Sequence, residues 1–93
     1  MPITVMVYGK PSDGAAYAAL GQLRSIVMEM RLDATVQIVT DAQQVRMSGV
    51  ELLPSIAVDG VMISTGWVPS RTELRSALQQ RRQQIDASRR VEE

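Results

Sequence analysis

The sequence predicts an α/β fold in which a mixed four-stranded sheet is flanked by helices. Three observations lead to this fold class. Short runs rich in β-branched residues alternate with stretches of helical periodicity in the order β-α-β-α-β-β-α. A helix connects the first two strands, which favours a parallel pair joined by a right-handed crossover. An Asp-Gly pair separates the last two strands, which adds an antiparallel hairpin.

The first strand and the first helix follow from residues 3–31. Residues 3–8 are apolar and rich in β-branched side chains, which is typical of a buried strand. Over residues 15–31 the apolar positions change to the three- and four-residue spacing of a helix. Ser12 or Asp13 precedes this stretch and is a candidate N-cap, because its side-chain oxygen can accept a hydrogen bond from a free backbone N–H group.

The middle of the chain predicts a second strand, a short helix and a hairpin. Residues 34–39 alternate between apolar and polar side chains, and Asp41 then opens a helix that ends near Gly49. Two further apolar runs, residues 55–58 and 61–64, flank the Asp-Gly pair. Because both central residues of a type I′ turn have positive φ, an Asp-Gly pair between two apolar runs is typical of this turn.

The last helix begins at a capping box formed by Ser70 and Glu73. Its apolar residues lie along one face: Leu74, Ala77, Leu78 and Ile85. After Leu78 the composition turns to glutamine and charge, so we expect a helix that continues for a turn or two and then frays. We therefore divide the chain into a domain of residues 1–80 and a helical extension of residues 81–93 that ends in a charged tail.

Composition excludes several classes of function. The 93 residues suffice for one small domain, and they include neither cysteine nor histidine. The chain therefore has no thiolate nucleophile, sulfur ligand or imidazole base, and we expect no cofactor and no metal. Ten basic and ten acidic residues balance, which predicts neither nucleic acid nor an anionic membrane as a partner. No stretch predicts a signal peptide or a membrane span, so we expect a soluble cytoplasmic protein.

Methionine is expected to fill the core, because the chain contains no phenylalanine. Five methionines fall mostly on the predicted strand and helix stripes: Met6, Met28, Met30, Met47 and Met62. Tyr8 and Tyr17 are likewise expected to be packing residues.

Four short motifs, in this order and at these spacings, resemble the thioredoxin fold. They are Tyr8-Gly9, Leu53-Pro54-Ser55, Ala57-Val58-Asp59-Gly60 and Gly66-Trp67-Val68-Pro69-Ser70. The chain resembles one branch in particular, the small glutaredoxin-like "redox-active disulfide" type of thioredoxin-like protein, over roughly residues 2–80. The resemblance implies a thioredoxin-like fold with a Cys-x-x-Cys loop at the start of the first helix.

The two cysteines of that loop are missing here. Counted from Tyr8, their positions correspond to Ser12 and Ala15, or to Ala16 for the second if one residue is inserted. Thiol–disulfide exchange needs a thiolate, and a serine hydroxyl is scarcely ionised near neutral pH without a histidine to activate it. The missing thiols therefore exclude redox activity of the family's kind, unless Ser12 and Ala15 are engineered replacements of cysteine.

The loop at the cysteine positions has two interpretations. The N-terminus of the first helix offers free N–H groups and a positive dipole end, which suits a carboxylate or phosphate near Lys10 and Gly14. Alternatively, Pro11 shapes a turn, Ser12 or Asp13 caps the helix, and nothing binds. The candidate binding residues of this loop are Lys10, Pro11, Ser12, Asp13, Gly14 and Ala15.

Leu53, Pro54 and Trp67 complete the candidate site. The resemblance implies that Pro54 is cis and lies beside the loop, and that the backbone of Leu53 binds an extended peptide by strand addition. The alternative is that Pro54 is kept only as a turn that defines the fold. Trp67 precedes the last helix and is either an anchor at an interface or a cover for the end of the sheet.

These observations favour a redox-inactive module that binds another protein or a peptide, and not an enzyme. Two alternatives stay open. One is a site for a small ligand, either a glutathione-like thiol compound or an anion, held at the N-terminus of the first helix. The other is a homo-oligomer, for example a homodimer, formed through the edge of the fourth strand or the apolar face of the last helix.

Overall fold

A four-stranded sheet forms the centre of the structure, a computed structural model that describes residues 2–92, with side chains described up to Arg89. Its strands are β1 (Ile3–Tyr8), β2 (Ala34–Val39), β3 (Ser55–Val58) and β4 (Val61–Thr65). In the order β2-β1-β3-β4, β1 pairs in parallel with β2, whereas β3 is antiparallel to both β1 and β4. The mixed sheet that the sequence predicts is therefore confirmed.

Three helices flank these strands: α1 (Gly14–Met30), α2 (Ala42–Met47) and α3 (Arg71–Glu92). The side chains of Asp13 and Asp41 accept hydrogen bonds from N–H groups in the first turns of α1 and α2, and Ser70 does the same for α3. Of the two caps considered for α1, the structure therefore uses Asp13. This helix stops at Met30, because Arg31 takes up a left-handed conformation with φ of 52°.

The hydrophobic core lies on one face of the sheet, beneath α1 and α3. Alternate residues of the strands point to this face, because successive side chains of a strand point to opposite sides. The aliphatic residues buried there include Ile3, Val5, Val7, Leu20, Leu23, Ile26, Ile56, Val58, Leu74 and Leu78. Each such side chain contributes about 1.5–3 kcal/mol when it is fully removed from water, so this single layer supplies most of the stability of the fold.

The expectation that methionine fills the core is wrong for three residues, of which Met62 is 39% exposed. Met28 and Met47 are 78% and 80% exposed, whereas Met30 is buried. Met28 lies two residues before Met30, which rotates it by about 200° around the helix axis and turns it away from the sheet. Tyr17 is also about half exposed, at 47%, so its predicted packing role is wrong as well. Leucine and isoleucine supply the buried face of α1 instead.

The first turn of α3 is held against α1 by charged and polar side chains. Arg71 donates hydrogen bonds to Ser25 at 3.1 Å, to Glu29 at 2.7 Å, and to Gln22. Arg75 also pairs with Glu29, at 3.1 Å. Because these ionic side chains are substantially exposed, the pairs contribute little to the free energy of unfolding, and their main effect is to orient α3 across α1.

The apolar face of α3 packs on the core of its own chain. Leu74 and Leu78 are buried, and Ile85 packs against the core from the second half of the helix. Arg82 reaches the end of α1, where its guanidinium donates a hydrogen bond to the carbonyl oxygen of Met30 at 3.1 Å. This face is therefore covered within the chain and gives no separate support to the homo-oligomer, which stays a prediction.

The predicted domain boundary at residue 80 falls inside α3, and the helix continues to Glu92. The division into residues 1–80 and 81–93 stays a prediction, and Glu93 of the expected tail lies outside the described residues. Neither α3 nor any other helix within residues 2–92 has both the length and the apolar character needed to cross a membrane.

Candidate functional site

The Leu53–Pro54 peptide bond is cis, and the segment around it is attached to the loop before α3. The carbonyl oxygen of Pro54 accepts a hydrogen bond from the N–H of Gly66 at 2.7 Å. The hydroxyl of Ser55 donates to the carbonyl oxygen of Leu52 and accepts from the N–H of Gly66 at 3.3 Å. Because Ser55 is completely buried, its hydroxyl ties the two loops together from inside the protein.

Two buried serines near this segment are expected to differ in their effect on stability. The hydroxyl of Ser64 has no hydrogen-bond partner within the described part of the chain, whereas that of Ser55 has two. A buried hydroxyl without a partner loses its hydration without compensation, so Ser64→Ala should raise the free energy of unfolding by about 1 kcal/mol. Ser55→Ala should lower it by about 2 kcal/mol, because it leaves the carbonyl of Leu52 unpaired.

Urea denaturation measures both serine variants under the same conditions. The two substitutions remove the same atom from buried positions of the same sheet, so each serves as the control for the other. A loss of stability in Ser64→Ala would mean that its hydroxyl forms a hydrogen bond in solution, contrary to this prediction.

The loop before α1 is organised by the carboxylate of Asp13. This carboxylate accepts hydrogen bonds from the N–H groups of Ala15 and Ala16 at 3.0 and 3.3 Å. The N–H of Asp13 in turn donates to the carbonyl oxygen of Lys10 at 3.0 Å. An anion at this helix end would need the same N–H groups, and the carboxylate would repel it. The structure therefore favours the capping interpretation of this loop over anion binding.

The two possible positions of the second family cysteine have different environments. Ala15 is exposed, as is Ser12, whereas Ala16 is completely buried. Ala16 lies against Gly9 at the end of β1, so closely that a Cβ atom at Gly9 would be 2.5 Å from the Cβ of Ala16. The start of α1 therefore packs directly against the backbone of Gly9, and this contact positions the whole loop before α1.

Residues Lys10, Pro11 and Leu53 line one groove of about 280 Å³, which we call the Leu53 groove. It lies between the loop of residues 9–11 and the stretch of residues 40–53. The structure therefore brings together part of the predicted site from two distant segments of the chain. The remaining predicted site residues do not line this groove: Ser12, Asp13, Gly14, Ala15, Pro54 and Trp67.

Sequence analysis missed seven of the residues that line the Leu53 groove: Gly9, Thr40, Ala42, Val45, Arg46, Val50 and Glu51. The three-residue spacing of Ala42 and Val45 in the short helix α2 was an available signal for a buried face, and Val45 is indeed buried. No local pattern marks Arg46 or Val50, because their relation to Lys10 depends on how α2 packs beside the loop.

The backbone of Leu53 has free hydrogen-bonding groups. Residues 50–53 belong to no helix or strand. Neither the N–H nor the carbonyl oxygen of Leu53 forms a hydrogen bond with any residue that the structure describes. Because nearly every buried backbone group in a protein is paired, such groups on a residue that lines a groove are available to water or to a bound chain.

Trp67 follows Gly66, whose N–H donates a hydrogen bond to the carbonyl oxygen of Pro54. Its side chain is 49% exposed, and neighbouring Leu52 is 59% exposed. A Cβ atom at Gly66 would be 3.3 Å from the Cβ of Leu52, which shows how closely the two loops approach. The half-exposed indole fits neither a fully buried cover nor a freely exposed side chain, so both interpretations of Trp67 stay open.

The charges at the Leu53 groove come from Lys10, Arg46 and Glu51. None of these side chains belongs to an ion pair within the described residues. Over residues 2–92 no group of three carboxylates lies close enough together to hold a metal ion, and the chain has no cysteine or histidine to replace them. The chemistry that these residues offer is therefore hydrogen bonding, apolar contact and positive charge.

Comparison with known proteins identifies the family. A sequence model of the thioredoxin domain matches residues 15–79, which is more than two thirds of the chain. The chain belongs to the thioredoxin-domain family. The match spans this thioredoxin domain from the start of α1 into α3, and the absence of cysteine means that the domain lacks a Cys-x-x-Cys motif. A search of curated protein sequences finds no match.

Solved structures share the fold of this thioredoxin domain. A malaria parasite thioredoxin-2, described as a component of the protein secretion machinery of the parasite, superposes with a TM-score of 0.66 at 13% identity, over 85% of this chain and 82% of that one. A second malarial protein gives 0.66 at 13% identity over 86% and 97%. A designed protein gives 0.63 at 18% identity over 85% and 75%. These similarities show the fold, and the resemblance to the glutaredoxin-like branch stays a prediction.

Proposed function

We propose that this thioredoxin domain is a redox-inactive module that binds an extended segment of another protein at the Leu53 groove. The observation that carries the proposal is the unpaired N–H and carbonyl oxygen of Leu53, a residue that lines the groove. A partner segment that runs alongside Leu53 would satisfy both groups, as in strand addition. The side chains that line the groove would then select the partner residue that faces them.

The proposal is also supported by what the domain keeps and what it lacks. It keeps the cis peptide bond before Pro54, the capped start of α1 and the two hydrogen bonds that attach the loop before α3. It lacks the thiols that the chemistry of a redox-active family member requires. We therefore assign it binding without catalysis. Since it needs no disulfide, it suits a reducing compartment such as the cytoplasm.

Selection from a display library of random linear peptides, carried out in reductant, tests this proposal. The parent chain is expected to enrich a defined set of peptides. Leu53→Asp should weaken their binding by about 30-fold, because it places a charge in the apolar groove. Trp67→Ala measures whether the surface extends across the cis-proline segment.

Met28→Asp is the matched control, because it introduces the same charge at an exposed apolar residue of α1. Its affinity should stay within about two-fold of the parent, and circular dichroism should show that all variants are folded. Equal weakening by Leu53→Asp and Met28→Asp, or no enrichment by the parent, would contradict the proposed site.

A further inference from the structure

Two positively charged residues line the Leu53 groove. Lys10 belongs to the loop before α1, and Arg46 belongs to the last turn of α2. Neither side chain donates a hydrogen bond or forms an ion pair with any residue that the structure describes. Arg81 provides a contrast, because its guanidinium is neutralised by Asp59 at 2.8 Å. Lys10 and Arg46 are therefore free to meet charges from outside the chain.

Three apolar side chains that line the same groove are partly or fully removed from water. Val45 is buried, and Val50 and Leu53 are half-buried. The volume of about 280 Å³ lies just below the range for small-molecule sites, about 300–1,000 Å³, so the groove takes one or two side chains and not a large cofactor. Glu51 is the one acidic residue among the lining residues, which leaves the groove with a net positive charge.

Building on the proposed function, we infer that the segment bound in the Leu53 groove is an acidic peptide, in which an aliphatic residue is flanked by Asp or Glu. The aliphatic side chain contacts Val45, Val50 and Leu53, and the flanking carboxylates meet Lys10 and Arg46. Charge complementarity of this kind selects partners and speeds association, and it weakens as salt is added. A basic segment would be repelled by both Lys10 and Arg46, so the same argument disfavours it.

The peptide selection described above tests this inference when it is repeated with charge-reversed variants. The parent is expected to enrich peptides that carry Asp or Glu next to Leu, Ile or Val. The double variant Lys10→Glu, Arg46→Glu should bind those peptides about 10-fold more weakly, because each exposed ion pair contributes at most about five-fold. Arg89→Glu is the control, since it changes the charge on α3 away from the groove.

A second measurement locates the contact. Lys10 is the only lysine of the chain, so carbodiimide coupling of an enriched acidic peptide should join its carboxylate to Lys10. Mapping of the product by mass spectrometry distinguishes this link from one to the α-amino group. Coupling at Lys10 that disappears in excess salt supports the inference.

The outcomes separate the inference from the proposed function. If the parent enriches peptides without acidic residues, or if the double variant binds the acidic peptides as well as the parent does, the inference is wrong and the binding module stands. If the parent enriches no peptide at all, the proposed function and the inference fail together. If Arg89→Glu weakens binding as much as the double variant does, the effect comes from net charge and the inference is also wrong.

Discussion

Gly9→Ala is expected to lower the free energy of unfolding by about 3 kcal/mol, one of the largest effects of any single methyl group in this chain. The added Cβ would lie 2.5 Å from the Cβ of Ala16, well inside van der Waals contact. Ala16 is completely buried and has no flexible end that could move aside. The start of α1 would have to lift from the end of β1, and Lys10 and Pro11 would move with it.

Gly21→Ala is the matched control for Gly9→Ala. Gly21 lies in the middle of α1 and is exposed to solvent. A Cβ atom at this position would meet nothing within 4 Å. Alanine should therefore raise the free energy of unfolding by about 1 kcal/mol, because it has the higher helix propensity. Urea denaturation of the two variants should give shifts of opposite sign. Similar shifts would mean that α1 does not rest on Gly9 in solution.

Asp59→Ala is the second substitution with a large expected effect, a loss of about 3 kcal/mol in the free energy of unfolding. The carboxylate of Asp59 accepts hydrogen bonds from the N–H of Thr4 and from Nε of Arg81, both at 2.8 Å. These bonds join the tip of the β3–β4 hairpin to β1 and to α3. Asp59 also has φ of 47°, a conformation that aspartate and asparagine tolerate better than alanine does.

Asp59→Asn separates the charge from these geometric effects. Asparagine keeps the tolerance for positive φ and one acceptor oxygen, so the expected loss is only about 1 kcal/mol. Solvent screens part of the attraction between Asp59 and Arg81, because the Arg81 side chain is more than a third exposed. Chemical denaturation near neutral pH compares the two variants. If both variants lose the same free energy of unfolding, the whole effect comes from the carboxylate charge.

The pH dependence of stability gives an independent test of Asp59. Burial by itself would raise the pKa of this carboxyl, but the hydrogen bond from Thr4 and the hydrogen bond and charge of Arg81 together lower the pKa below its ordinary value of 3.8. Because the folded-state pKa is the lower one, the stabilisation is fully present above the unfolded-state value. It is lost as the pH falls through the folded-state pKa.

The advantage of the parent over Asp59→Asn should therefore shrink as the pH is lowered from about 6 to about 3. The parent and the variant are compared by urea denaturation at each pH. A difference that stays constant over this interval would show that the Asp59 carboxylate is not stabilised in the folded state.

Much of the fold was predictable because its signals are local. The Asp59-Gly60 turn has φ of 47° and 81°, as the predicted type I′ turn requires, and its two residue types are those that tolerate these angles. Asp41 and Ser70 cap their helices through N–H groups only two or three residues away. Such interactions depend on a few consecutive residues, so a sequence shows them.

The burial of individual side chains was less predictable from the sequence than the type of each secondary-structure element. Met28 and Met30 have the same side chain in the same helix, yet one is exposed and the other buried, because only one side of α1 meets the sheet. The unpaired hydroxyl of Ser64 has no counterpart in any sequence pattern. It results from the bulged pairing of β3 with β4, which places Ser64 opposite Ile56.

The candidate site likewise has some features that the sequence determines and others that depend on tertiary packing. The sequence by itself determined that this chain has no thiol, that Asp13 or its neighbour caps α1, and that Pro54 follows Leu53 at the entrance to β3. Only the tertiary structure decided that Lys10 and Leu53 share a groove with Arg46, and that the Asp13 carboxylate accepts hydrogen bonds from the N–H groups of Ala15 and Ala16. The physical reason is that covalent chemistry and caps act within a few residues. A groove exists only when segments more than thirty residues apart pack against each other.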